Sequence, residues 1–334
     1  MTQQGEKSIT NWADKSGEFK RQQSAFRSWI SSKPDAEFPA EKDRYHLYVS
    51  YACPWAHRVL IVRKLKGLEE ILPYTSVHWE MLEKGWRFAT PDENVTGENT
   101  TPDPLHKDAT HLRDIYFSVD KDYSGRFTVP TLWDKKKKTI VNNESSEIIR
   151  MLYHEFDELL PEKYKKIDLF PKDLQSQIEE TNEWTYNDIN NGVYKSGFAT
   201  SQEAYEKNVI TLFKSLDRAE AHLAKNAAPF YYGDRVTEAD VRLYTTIIRF
   251  DPVYVQHFKC NLRDIRSGYP ALHKWLRNLY WNHEAFGSST EFTHIKSHYT
   301  KSHKQINPYS ITPLGPEPNI LPLDKEVAAA SSKI

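Results

Sequence analysis

Apolar residues fall in short runs in the first half of the chain and at helical spacing in the second. Tyr45–Ser50 is a compact apolar run, the pattern of a buried strand. After a tight turn, Trp55, Val59, Val62 and Leu65 recur one helical turn apart. Pro54 stands at the first helical position, where its missing N–H is no loss, and Gly67 supplies a stop. A helix over Pro54–Lys66 is expected, then a strand near Thr75–Glu80. From Met81 to Tyr123 the pattern weakens, with one short helix around Ala109–Phe117; connections this long are commonly functional or disordered. Phe127–Trp133 reads as a strand interrupted by Pro130, which suits an edge or a cis bond at a functional site. Lys135–Lys138 makes a turn and Thr139–Asn142 a return strand. Glu144-Ser145-Ser146-Glu147 opens a helix to about Phe156, with Ser145 or Ser146 as N-cap.

This order, β-α-β-(α)-β-β-α, is the plan of a thioredoxin-like domain over residues 41–160, preceded by an N-terminal arm, 1–40, with scattered aromatics at Trp12, Phe19, Phe26 and Trp29. Residues 161–171 read as a linker. Beyond it the strand signal disappears, and helices are expected near 172–192, 201–226, 238–250 and 270–282, within a helical domain spanning 172–334. Thr237-Glu238-Ala239-Asp240 forms a capping box that starts one of them. After about Ala285 a polar, proline-bearing tail is expected to wrap the surface.

Composition narrows the function classes. With 45 basic against 46 acidic residues, nothing points to nucleic acid. No apolar run approaches the roughly 18 residues of a membrane span, and Met1–Lys20 has no signal-peptide core. Two cysteines far apart make no disulfide framework, so a reducing, cytoplasmic setting is expected. Ser332-Lys333-Ile334 approaches a peroxisomal address but ends in isoleucine, and is discounted. Nine Trp, 19 Tyr and 15 Phe make the chain rich in rings that could line an aromatic ligand's pocket.

The chemistry centres on Cys53. At a helix N-terminus, unpaired N–H groups and the macrodipole favour an anion, so a lowered thiol pKa and a reactive thiolate are expected. His57 and Arg58 add possible positive charge. The bland alternative is a small buried thiol in a helix cap. The fourth position of the Cys-Pro-x-x motif is Ala56, so no resolving cysteine is local, and Cys260 reads as a buried structural thiol. A single reactive cysteine needs an external thiol to complete a redox cycle. His294, His298 and His303 invite a metal reading, but beyond His294 and His298, one helical turn apart, no third ligand or carboxylate has fitting spacing, so no metal site is expected.

Several motifs, in order, resemble the xi class of glutathione transferases, the glutathionyl-hydroquinone reductases. They are Cys53-Pro54-Trp55-Ala56-His57-Arg58, Gly85-Trp86-Arg87-Phe88, Arg126-Phe127-Thr128-Val129-Pro130, Asn142–Arg150, Asn190–Phe198, Thr237–Arg242, Ile248–Tyr254 and His294–Tyr299. They run through most of the chain, and the second half is most similar to fungal members. Many relatives carry two tyrosines after the position of His298; here Tyr299 is followed by Thr300.

The resemblance implies a thioredoxin-like domain followed by a helical one, a homodimer, glutathione as co-substrate with no tightly bound cofactor, and glutathionylated aromatic substrates. It assigns the glutathione site to Trp86, Arg126, Phe127, Thr128, Val129, Glu144 and Ser145. Cys53 is then the nucleophile, Tyr194 the proton donor, and Tyr254 and Tyr299 the thiolate-stabilising hydroxyls. The implied reaction is reductive deglutathionylation of S-glutathionyl-hydroquinones through a mixed disulfide. The competing readings are an omega-like thiol transferase or dehydroascorbate reductase, and a non-catalytic binding module on the same fold.

Overall fold

The computed structural model describes residues 17–19, 21–226 and 228–325. Trp12 and Ser332-Lys333-Ile334 lie outside them. The N-terminal arm forms a small parallel pair, β1 (Ile30–Ser31) with β2 (Phe38–Pro39). The central sheet follows: β3 (Tyr45–Val49), helix α1 (Pro54–Leu65) and β4 (Tyr74–Ser76). A two-residue-strand hairpin, β5 (Met81–Leu82) and β6 (Gly85–Trp86), and helix α2 (Leu112–Val119) occupy the long connection. Then come β7 (Thr131–Asp134), β8 (Thr139–Asn142) and α3 (Ser145–His154). The sheet order is β4-β3-β7-β8, with β3–β4 parallel and the other pairs antiparallel. This is the thioredoxin-like arrangement.

The remainder is helical. It comprises α4 (Glu162–Lys165), α5 (Gln175–Trp184), a π-helical turn at Thr185–Asn190, α6 (Gly192–Gly197), α7 (Gln202–Asn226) and α8 (Glu238–Ile247). A second π-helical turn, Phe250–Tyr254, leads into the short helices α9 (Val255–His257) and α10 (Ile265–Gly268). Helices α11 (Pro270–Asn282), α12 (Glu284–Gly287) and α13 (Phe292–Ser302) complete it.

Five expectations change. β4 starts at Tyr74 and ends at Ser76, short of the expected Glu80. The strand expected from Phe127 begins only at Thr131, because Pro130 has no N–H for the ladder; the Val129–Pro130 bond is cis. The N-cap of α3 is Glu144, whose carboxylate accepts the Ser146 N–H at 3.1 Å. The helix expected over 172–192 is interrupted by the π-helical turn at Thr185–Asn190. The expected polar tail after Ala285 contains α13, which is largely buried. Its polar side chains meet backbone from the first half: His298 with the Trp79 carbonyl at 2.9 Å, and Ser302 Oγ with the Met81 N–H at 3.0 Å. A helix that buries hydrogen-bonding groups lacks the apolar stripe that would mark it.

Helix α1 is buried from Pro54 to Arg63 and packs on α3, α8 and α12, so it wedges between the two halves. Helix α8 starts from the expected box: Asp240 accepts the Thr237 N–H at 2.9 Å and the Thr237 hydroxyl at 3.0 Å. The other Asp240 oxygen accepts the Tyr231 N–H and the Trp275 indole N–H, both at 2.8 Å. Replacing Asp240 by Ala strands these buried donors. Urea unfolding should register a loss of about 3 kcal/mol; a loss below about 0.5 kcal/mol would deny the box its structural weight.

Candidate active site

Cys53 is the N-cap of α1, in extended backbone (φ −80°, ψ 119°) with Pro54 at N1. Its Sγ points toward the Val129 carbonyl at 3.6 Å. The loop before it is held by Arg249, a fully buried guanidinium. Arg249 donates to the Tyr51 carbonyl at 2.7 Å, the Ala52 carbonyl at 3.0 Å and the Thr245 carbonyl at 2.7 Å.

The expected lowering of the Cys53 pKa is not what the surroundings produce. Burial pushes the thiol up. The Ala56 N–H, the Arg21 charge, the Trp55 N–H and the Arg249 charge pull against it without reversing the sign. The cysteine is only partly buried by exposure, because its sulfur opens onto a cleft. The helix N-terminus is there, but so is the apolar packing around Pro54, Val129 and Tyr194.

That cleft, about 1160 Å³ counted out to its open mouth, lies between the two halves. It is of the size that takes a peptide with an aromatic ring. Ten of the eleven expected site residues line it. Trp86 is buried and stacks on His298, ring centroids 4.5 Å apart. Arg126 is partly buried, and burial first, then the nearby Arg21, lowers its pKa. Phe127 packs edge-on to Phe117 and Tyr116. The Thr128 carbonyl is taken by the Tyr116 hydroxyl at 2.8 Å and the Thr131 hydroxyl at 2.8 Å, which fixes the turn into cis Pro130. Glu144 stays ionised: burial raises its pKa, but the Ser146 N–H and hydroxyl, the Ser24 hydroxyl and Arg21 together bring it below the usual value. Ser145, buried, opens α3.

Tyr194 and Tyr299 line the cleft; Tyr254 stands one layer behind. The Tyr299 hydroxyl bonds both others, at 2.6 Å to Tyr194 and 3.0 Å to Tyr254. The hydroxyls therefore bond one another, and the sulfur's hydrogen bond goes to Val129. Burial, then the neighbouring Cys53, pushes Tyr194 up to about 12, so it keeps its proton. Tyr254 closes the second π-helical turn, and Tyr194 follows the first by four residues. Such turns re-aim side chains that a regular helix would turn elsewhere.

Sequence reasoning missed the arm's part. Arg21, Gln22, Gln23 and Ser24 line the cleft, and Arg21 stacks on Trp55 at 3.9 Å. The arm is sewn to the edge of β8 and to α3 by Ser28 N–H to the Val141 carbonyl at 3.0 Å and Ser24 hydroxyl to Glu144 at 3.0 Å. These polar residues, exposed but for the half-buried Ser24, carry no periodic signal. The histidines on and just after α13 diverge: His294 bonds the Thr96 carbonyl, His298 the Trp79 carbonyl, and His303 the ring of His257. Cys260 is fully buried, its Sγ near the Phe258 carbonyl at 3.7 Å.

A fold of thioredoxin-like plus helical halves, with a lone cysteine at the cleft between them, is that of a glutathione transferase. The family descriptions agree: "Glutathione S-transferase, N-terminal domain" matches residues 52–155 and "Glutathione S-transferase, C-terminal domain" matches 202–278. A Schizosaccharomyces pombe protein, glutathione S-transferase omega-like 2, is 56% identical over 313 residues, covering 93% of this chain and 97% of its own. The Escherichia coli glutathionyl-hydroquinone reductase YqjG is 49% identical over 306 residues, covering 90% of this chain and 89% of its own. The Saccharomyces cerevisiae xi glutathione transferase ECM4, solved in complex with glutathione, superposes with a TM-score of 0.86 at 48% identity, covering 90% of this chain and 100% of its own. The chain belongs to the xi-class glutathione transferases. Among its described residues no helix is long and apolar enough to cross a membrane.

Because burial raises the Cys53 pKa, thiolate is the minority form near neutrality. With Cys260 replaced by Ala, alkylation of Cys53 by iodoacetamide should keep accelerating through pH 9.0, the ordinary thiol value. A rate already flat below about pH 7 would mean that the helix N-terminus outweighs burial.

Proposed function

We propose that the chain is a glutathione-dependent reductase of S-glutathionyl-hydroquinones, with Cys53 as nucleophile and Tyr194 as proton donor. The observation that carries this is the cleft itself. A lone cysteine and the linked hydroxyls of Tyr194 and Tyr299 share one cavity with the residues expected to hold glutathione, and Tyr254 backs them through Tyr299.

The peptide half of the substrate lies along the thioredoxin-like wall. Glu144 pairs with the γ-glutamyl ammonium, and the N–H groups and hydroxyls at the start of α3 take its carboxylate. The Val129 backbone pairs with the cysteinyl amide as an added strand. Arg126 supplies charge for the remaining carboxylate, and Trp86 packs on the peptide. Phe127 and Thr128 shape the turn that presents Val129.

In the first step the Cys53 thiolate attacks the thioether sulfur. An S–S bond forms and the carbon–sulfur bond breaks. Its electron pair stays on the aromatic carbon, which takes a proton from Tyr194; hydroquinone leaves. Tyr194, protonated up to about pH 12, is available for this across the working range, and Tyr299 and Tyr254 can pass a proton back to it. In the second step the thiolate of a free glutathione attacks the mixed disulfide. Oxidised glutathione departs and Cys53 returns as thiolate. The thioether sulfur and the one free thiol end as a single disulfide, giving up two electrons that the ring carbon gains together with a proton. The protein acts as a homodimer in the cytoplasm, with glutathione as its consumed co-substrate.

Thiol transfer of the omega type is the second reading, favoured by the lone cysteine and by the S. pombe relative's name. One pair of variants separates the two. Cys53→Ser should abolish release of oxidised glutathione from a glutathionyl-hydroquinone plus glutathione. Tyr194→Phe should cut kcat on that substrate by about 10²–10³ and change reduction of a small glutathione mixed disulfide by less than about threefold, since no carbon is protonated there. Wild-type activity confined to the disulfide would leave the thiol-transferase reading standing.

A further inference from the structure

The mechanism above uses donors on one wall of the cleft. Beside them, next to Tyr299 on α13, lies an acceptor that it leaves unused. His298 is 5% exposed and lines the cleft. Its Nδ1 lies 2.9 Å from the Trp79 carbonyl oxygen, which can only accept, so Nδ1 carries a proton. Burial first, then the charges or partial charges of His257, Arg249 and His294, hold this imidazole down to about 3, with the Trp79 carbonyl pulling the other way. The ring is therefore neutral and has one proton, and Nε2 is a bare lone pair. No group among the described residues donates to Nε2.

A turned ring would give up the Nδ1–H bond to the Trp79 carbonyl. The ring stacks on Trp86 and packs edge-on to Tyr299 at 5.1 Å and His303 at 5.2 Å. Tyrosine hydroxyls rotate and can donate or accept. His303 and His257 share a hydrogen bond at 3.2 Å that either tautomer satisfies. His298 alone of these groups has its role fixed by its other nitrogen. A fixed acceptor facing a cleft calls for an O–H or N–H on the ligand.

We propose that His298 Nε2 accepts a hydrogen bond from a ring hydroxyl of the hydroquinone, so that the cleft selects aromatic rings in their reduced, hydroxyl-bearing state. This rests on the reductase reading above. A quinone carbonyl would set lone pair against lone pair, and a ring without hydroxyls would leave Nε2 unpaired. A site built around a required hydrogen bond rejects the analogue that lacks it more strongly than apolar packing can.

The test compares wild type with His298→Phe, which keeps a flat ring against Trp86, and His298→Gln, which restores an acceptor. Thermal unfolding confirms that each variant is folded. On a glutathionyl-hydroquinone, His298→Phe should lose about tenfold in kcat/KM, with the Gln variant recovering part of it. On a small glutathione mixed disulfide, which carries no ring, the change should stay within about twofold. As competitive inhibitors, free hydroquinone should weaken about tenfold against His298→Phe and 1,4-dimethoxybenzene should not. Equal losses on both substrates would overturn the inference and assign His298 to the peptide or the fold. An unchanged preference for hydroquinone over its dimethyl ether would overturn it as well. Wild-type inactivity toward glutathionyl-hydroquinones would be a different failure, that of the reductase reading, and would take this inference down with it.

Discussion

The buried guanidinium of Arg249 holds the two halves in the register that makes the site. It reaches from the helical half into the loop before Cys53, taking the Tyr51 and Ala52 carbonyls while anchored to the Thr245 carbonyl. Its remaining partner is His57 Nδ1 at 3.0 Å. An arginine only donates, so His57 Nδ1 must accept, and its Nε2–H donates to the Ser289 hydroxyl at 2.9 Å. Burial, then the Arg249 charge, keeps His57 neutral. The histidine that follows the reactive cysteine in sequence is thus a structural strut. A buried cation held by neutral dipoles is expensive to form and more expensive to half-break. The loop carrying Cys53 is accordingly tied to the helical wall it faces.

From that fixed point the cleft acquires its polarity. One wall offers backbone and helix N-termini to a peptide. The other presents linked tyrosine hydroxyls set by two π-helical turns. The thiol between them is raised by burial and lowered by N–H groups and arginines, and burial prevails. The same desolvation that disfavours the resting thiolate keeps the tyrosines protonated and the histidines neutral. The site therefore meets its substrate with protons on its hydroxyls and one lone pair on His298.

Much of the first half was legible because its signals are local. The Tyr45–Val49 strand, Pro54 at the helix start and the return strand at Thr139–Asn142 each announce themselves within a few residues. Helix α8 did the same through its capping box. Helix α13 did not. His294, His298 and Ser302 look like solvent-facing residues, yet they are buried, because their partners are carbonyls and N–H groups of a loop some 200 positions earlier. The arm at Arg21–Ser24 was silent for the opposite reason: exposed polar residues form a wall of the cleft only once the chain has folded back over it.

The sequence by itself determined the two-part architecture, the placing of Cys53 at a helix start and, through its ordered motifs, the family and ten of the cleft's lining residues. The first two follow from short-range periodicity, caps and prolines, and the last two from the motifs' resemblance to the xi class. Only the tertiary structure decided the sign of the Cys53 pKa shift, the withdrawal of Tyr254 behind Tyr299, the arm's share of the cleft and the bare nitrogen of His298. Each depends on burial and on hydrogen bonds between segments far apart in the chain, and no window of sequence holds both partners of such a bond.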